Sequence, residues 1–222
     1  MSVSQNIRQI KASLPKEVTL VAVSKFHPIE AIDEAYKAGQ KVFGESRAQE
    51  LVMKEKLLRY ADIEWHFIGT LQTNKVKEIA PFIHTIQSID SLKLLREVEK
   101  QAKKNNRKIR VLLEIHVAEE DSKHGFNPDE CRQMLDENLG EFENVVFSGV
   151  MGMATFTDDE SKIRKEFKEL HSLFTEFKEK YFADNSEFKT ISMGMSHDYH
   201  IAVEEGSTMV RIGTDIFGER EY

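Results

Sequence analysis

Short apolar runs alternate along the chain with longer stretches of helical periodicity. The first run, TLVAVSK at 19–25, gives way to a helical pattern at 28–38, with Pro28 near its first turn and Gly39 as its stop. KVFGES at 41–46 precedes a helix over 47–59, and EWHFIG at 64–69 precedes a short helix near 73–79. FIHTIQ at 82–87 is followed by a long helix that Asp90 or Ser91 opens as N-cap. RVLLEIHV at 110–117 leads through a loop to a helix beginning near Pro128. VVFSGVM at 145–151 precedes a charged helix over 159–181, and the run at 189–193 precedes a helix over 196–205. TMVRIG at 208–213 is the eighth run. Near-continuous apolar strands signal burial on both faces, as in a parallel sheet. Eight such units in 222 residues predict a closed (β/α)8 TIM barrel, a single domain over 1–222. An open doubly wound sheet competes less well, because no GxGxxG follows the first strand. Residues 214–222 are too few for a usual eighth helix, and the amphipathic segment 4–13 is expected to cover that gap.

Composition narrows the function classes. The chain carries 38 acidic against 31 basic residues, a net charge of -7, so it lacks the basic balance of a nonspecific nucleic-acid binder. Its single cysteine, Cys131, excludes both an intramolecular disulfide and a cysteine-based zinc cluster. The opening MSVSQNIRQIKAS lacks the apolar run of a signal peptide. No window approaches the ~18 apolar residues of a membrane span. A cytoplasmic location is expected.

In a TIM barrel the chemistry sits at the C-terminal ends of the strands. Lys25 ends the first run and is expected at or just above the mouth. Its ammonium either reaches solvent, the commoner fate of lysine, or is desolvated and free for Schiff-base chemistry. The ends of the seventh and eighth runs offer Ser196, Gly213 and Thr214. Each is an ordinary turn or cap residue taken alone, but together they sit where this fold often grips a phosphate. Arg211 lies inside the apolar run MVRIG and requires a partner, either a carboxylate in the barrel or a polar ring atom of a ligand. A lysine at the end of the first strand and an oxyanion grip at the seventh and eighth match pyridoxal 5'-phosphate (PLP), which has an aldehyde at one end and a phosphate at the other.

The residues also carry a resemblance. LVAVSKFHP at 20–28, FGESRAQE at 43–50, WHFIGTLQTNK at 65–75, SKHGF at 122–126, GVMGMAT at 149–155 and SMGMSHDYHIAVEEGSTMVRIGTDIFGER at 192–220 resemble the YggS/PROSC-type pyridoxal phosphate homeostasis proteins over essentially the whole chain. The resemblance implies a barrel like the N-terminal domain of alanine racemase, without its C-terminal β domain. It implies Lys25 as the Schiff-base lysine, Ser196, Gly213 and Thr214 at the phosphate, Arg211 facing the pyridine nitrogen, and Met193 among the residues around the cofactor. Where the family usually has Asn in FGEN, this chain has Ser46, whose shorter side chain loses a contact to the ring or replaces it with water.

Two readings of different class follow. One is a PLP-dependent amino-acid racemase of low activity. The other is a carrier that holds PLP, buffers it and delivers it to apo-enzymes without turnover. The carrier is expected, because the second domain that supplies a partner acid/base to racemases is not expected here, leaving an open site and a monomer. Arg211 points the same way. A cation opposite the pyridine nitrogen keeps it unprotonated and weakens the ring as an electron sink. A third reading, a phosphate-binding aldolase using Lys25, would need Glu45 or Glu114 to point inward, which strand parity does not settle.

Other residues are expected to be structural. His197 and His200 share a helix face but lack further ligands, so no metal site is expected. His27 and His66 lie near strand ends. Met151, Met153, Met193 and Met195 are core fillers or ring contacts. Lys123 is a surface lysine or a second PLP-accepting amine, and Cys131 is packed in a helix.

Overall fold

The computed structural model describes residues 1–119 and 124–219. Eight strands close a parallel barrel in chain order, the eighth pairing with the first. They are β1 (Thr19–Val23), β2 (Val42–Glu45), β3 (Glu64–Phe67), β4 (Thr85–Ile89), β5 (Ile109–Glu114), β6 (Val145–Met151), β7 (Thr190–Ser192) and β8 (Met209–Ile212). The helices are α1 (Val3–Ser13), α2 (Ile29–Lys37), α3 (Ala48–Leu58), α4 (Val76–Ile79), α5 (Leu92–Lys104), α6 (Pro128–Asn138), α7 (Glu160–Lys180), α8 (Tyr199–Glu204) and α9 (Thr214–Phe217).

Side-chain alternation divides the barrel into two cores. Leu20 and Ala22 of β1 face the helices and join the large apolar layer with Phe43, Phe67, Phe167 and Phe177. The inner layer mixes Val21, Leu112 and Met209 with the buried polar residues His66, Gln87, Ser192 and Arg211. A hydrogen-bonded chain crosses this interior. Arg211 Nη1 donates to Ser192 Oγ (2.7 Å), Ser192 Oγ to Gln87 Oε1 (2.7 Å), and Gln87 Nε2 to His66 Nδ1 (2.8 Å).

Sequence and structure differ in the strand ends. β1 stops at Val23, so Lys25 rides on the turn beyond the strand. β4 begins at Thr85, not at 82, because Phe82 and Ile83 finish the preceding turn with N–H bonds to Ile79 O. The N-terminal helix does dock beside the seam, with Asn6 Nδ2 donating to Ile216 O of the short α9 at 2.9 Å.

Candidate functional site at the barrel mouth

His27 N donates to Ser24 O at 3.1 Å and closes a turn over residues 24–27. Lys25 takes its second position and is half-buried. Phe26 takes the third with a φ of 67°, in the left-handed region that bulky residues rarely adopt. Such a conformation persists only where the surroundings over-determine it, and that is common at functional sites. Here the surroundings are charged. Phe26 N donates to Glu50 Oε1 at 2.7 Å. Lys54 of α3 donates to Ser24 O (2.8 Å), Glu45 Oε1 (2.9 Å) and Glu50 Oε1 (2.6 Å). Ser24 Oγ donates to Glu45 Oε1 at 2.6 Å. Burial pushes the Glu45 carboxyl up to about 7, against the pull of Lys54 and Ser24. Glu45 therefore faces α3 behind the turn, not the inside of the barrel.

The neighbouring seam carries Gly213, Thr214 and Ser196. A Cβ added to Gly213 would sit 3.2 Å from Val23 O, so the backbone of β8 passes close to the Lys25 turn. Gly213 precedes α9, whose first backbone N–H groups have no partner within the helix. Thr214 is exposed at its start and Ser196 is half-buried nearby in sequence after β7. Ser196 does not cap the following helix as expected from the sequence. The chain turns once more, with Asp198 Oδ1 accepting from Met195 N at 2.6 Å, and Asp198 takes the N-cap position of α8.

Arg211 is buried, and its Nη2 donates to Gly152 O at 3.0 Å while Nη1 holds Ser192. Burial lowers its pKa to about 10, with the Asp198 and Glu114 carboxylates opposing, so it stays a cation at neutral pH. Glu114, at the end of β5, is pushed up to about 7 by burial and by Asp90, with Arg211 pulling it down. It lines a mouth cavity of about 170 Å³ with His116, His124, Met153 and Met195. A larger groove of about 650 Å³ lies beside the mouth, between Phe26, His27, α3 and Phe217.

The structure thus brings Lys25, Gly213 and Thr214 to one seam, with Arg211 below them in the inner layer. Ser46 follows β2 and is half-buried, in contact with the Gly69 segment after β3. Met193 is fully buried in the core, its N–H bonded to Met209 O and its carbonyl to Ser207 Oγ. His197 precedes α8 and meets Asp198 Oδ2 at 3.2 Å, so it does not share a helical face with His200. Lys123 lies outside the described residues. Sequence reasoning missed Lys54 and left Glu114 open. The Glu50–Lys54 spacing was visible but reads as a surface pair at one helical turn.

The mouth of this eight-stranded parallel barrel thus carries a half-buried lysine on a strained turn beside the β7–β8 seam. The family model described as "Alanine racemase, N-terminal domain" matches residues 2–221. A pyridoxal phosphate homeostasis protein of Aquifex aeolicus is 42% identical, over 91% of this chain and 87% of that protein. The human pyridoxal phosphate homeostasis protein is 37% identical, over 100% of this chain and 85% of its own length. The solved structure of PipY from Synechococcus elongatus with PLP bound has a TM-score of 0.89 and 32% identity, covering 98% of this chain and 100% of that one. Alanine racemase from E. faecalis shares the fold alone, with a TM-score of 0.74 at 17% identity over 98% of this chain and 57% of that chain. The chain belongs to the family of pyridoxal phosphate homeostasis proteins.

Proposed function

We propose that this protein binds PLP at the barrel mouth and serves as a carrier that buffers the cofactor and delivers it to apo-enzymes. The carrying observation is Lys25 on a strained, charge-braced turn whose strand packs against the Gly213 backbone. The donor set fits the group. Lys25 offers an amine, Ser196, Thr214 and the backbone around Gly213 offer oxyanion donors, and the lack of a side chain at Gly213 lets that backbone pass close to Val23 before the Lys25 turn. Buried Ser88 Oγ, near the C-terminal end of β4, has no hydrogen-bond partner among the described residues. When bound, PLP supplies an aldehyde that condenses with an amine and a ring that can withdraw electrons.

Arg211 would meet the pyridine nitrogen as a donor. A cation at that place disfavours a proton on the nitrogen, so the chain's own residues restrain the ring's electron-withdrawing power. Ser192 and Gly152 fix the guanidinium plane and keep that restraint in place. Ser46 would leave part of the ring face to water. The PLP-bound PipY structure and the names of the relatives support this reading. A cytoplasmic setting, where Cys131 stays a thiol, suits it.

Glu114 favours a second reading, residual racemase-type activity. It faces the mouth with a pKa of about 7, suited to moving a proton near neutrality.

Visible spectra of the wild type and Lys25→Ala with PLP, before and after borohydride, test the binding. A lysine–aldehyde band in the wild type only, fixed by reduction, is expected. Its absence from the wild type overturns the PLP reading. Racemase and transaminase assays on the same samples, with transfer of PLP to an apo-enzyme, separate carrier from enzyme. Turnover without transfer would overturn the carrier.

A further inference from the structure

The N-terminal end of the barrel holds a second cluster of chemically capable side chains, far from the Lys25 turn. Glu64 and His66 are two apart on β3 and so share a face of the strand. His84 lies just before β4, with its N–H bonded to Trp65 O. One ligand atom from each of Glu64, His66 and His84 lies within 4.8 Å of the other two. His84 Nε2 is 3.7 Å from Glu64 Oε2. The cluster lines a floor cavity of about 320 Å³ that also meets Thr85 and Arg110.

An independent observation points to a missing ligand. His66 is 2% exposed, yet its Nε2 has no hydrogen-bond partner among the described residues. An unsatisfied buried polar atom of this kind costs roughly as much as a lost hydrogen bond, and native structures rarely leave one. The other ring nitrogen, Nδ1, is engaged by Gln87 Nε2 at 2.8 Å. In this network Nδ1 accepts from Gln87, whose oxygen is held by Ser192 Oγ, so the ring proton sits on Nε2. Binding a metal at Nε2 requires the Gln87 amide to turn over, so that its oxygen accepts from Nδ1–H and its nitrogen faces Ser192 Oγ. A metal-bound histidine is typically oriented through its second nitrogen in this way.

We propose that Glu64, His66 and His84 bind one divalent transition-metal ion of the zinc class at the floor of the barrel. Two imidazoles and a carboxylate form the donor set of open zinc sites, with water completing the shell from the cavity. Ligand atoms around a tetrahedral zinc ion are about 3.3 Å apart given the usual bond lengths. The buried His66 stays fixed, while Glu64 and His84, with side chains 49% and 38% exposed, are placed to close around the ion. Other charges near the site are accounted for. Arg110 is paired with Glu187, whose carboxylate also lines the cavity, while Arg107 reaches Ala80 O at 2.7 Å. Lys189, also on the cavity wall, is the remaining cation.

The test titrates chelator-stripped protein, without added PLP, with Co²⁺ and then Zn²⁺. Visible ligand-field absorption reports cobalt, and calorimetry reports zinc. His84→Ala and Glu64→Gln alter half-exposed side chains, and circular dichroism verifies that each is folded. One saturable equivalent with a tetrahedral cobalt spectrum is expected, weakened at least ~10-fold in both variants. No saturable uptake by the wild type overturns the proposal. Uptake that survives His84→Ala or Glu64→Gln with less than that weakening overturns it equally, because the ion would then sit elsewhere.

Discussion

Glu45 and Glu114 end their strands at the same rim of the barrel, and burial pushes both carboxyls up to about 7. Their surroundings give them different work. Glu45 accepts from Lys54 and Ser24 behind the β1 turn, whereas Glu114 opens on the mouth cavity and feels Arg211. A run of consecutive apolar residues hides which face each carboxylate takes, so sequence alone left the two equivalent. Glu114 carries a pH prediction whose sign is fixed. Its folded pKa exceeds the ordinary 4.5, so between pH 4.5 and about 7 the native state holds a proton that the unfolded chain has released. Stability from this group is full below that window and is lost as pH rises through it, by at most about 1.4 kcal/mol per pH unit. Glu114→Gln removes the dependence. Denaturant unfolding of both proteins without PLP at pH 5 and pH 7 is expected to show the variant gaining on the wild type at the higher pH. Parallel profiles would show that Glu114 is not desolvated.

At the scale of elements, the Lys25 turn depends on β1, β2 and α3 together. Lys54 reaches from α3 to the carbonyl that begins the turn and to two carboxylates, one of which also takes the Phe26 N–H. Lys54→Met keeps much of the side-chain bulk but leaves Glu45 and Glu50 without their cation. Breaking a buried ion pair on one side costs roughly 3–5 kcal/mol. A lower denaturation midpoint and weaker PLP capture are expected, the second because Phe26 loses the bracing that holds its left-handed conformation. Adding Glu45→Gln to Lys54→Met removes one stranded charge and is expected to recover part of the stability. Equal losses in the single and double variants would mean that packing, not charge, holds the turn. A second element-scale test uses Gly149, whose φ is 148° and where a Cβ would overlap Thr190 O at 1.8 Å. Gly149→Ala is expected to destabilise by roughly 3 kcal/mol or more, read from the denaturation midpoint, because β7 must move away from β6.

The whole barrel was legible where periodicity carries the information and illegible where closure does. Eight strand and helix units, the Lys25 strand end and the β7–β8 rim follow from runs, stops and order along the chain. Lys54 in the core, the Arg211–Ser192–Gln87–His66 chain and the floor cluster do not, because each joins residues from different units across the closed sheet. Closure also creates an uneven ring. β5 and β6 share six residue pairs with one register shift at Val111/Leu112, while β7 and β8 share one strand pair, Ser192 with Met209, flanked by backbone bonds from Thr208, Met193 and Arg211. Side chains reinforce that seam. Ser207 Oγ donates to Met193 O and Met209 O, Ile191 N donates to Thr208 Oγ1, and Arg211 holds Ser192. The proposed PLP donors Ser196, Gly213 and Thr214 lie immediately beyond the same two strands. A ligand that bridges them stabilises the closed form, increasingly as its free concentration exceeds its Kd, and segments with few regular strand pairs open locally more easily. Hydrogen exchange followed by mass spectrometry is therefore expected to find peptides over 190–213 exchanging faster than those over 109–114 and 145–151. Added PLP is expected to slow the seam selectively in the wild type and much less in Lys25→Ala. Uniform protection around the barrel would instead mean that PLP tightens the molecule as a whole, and that the seam is no weaker than the rest of the ring.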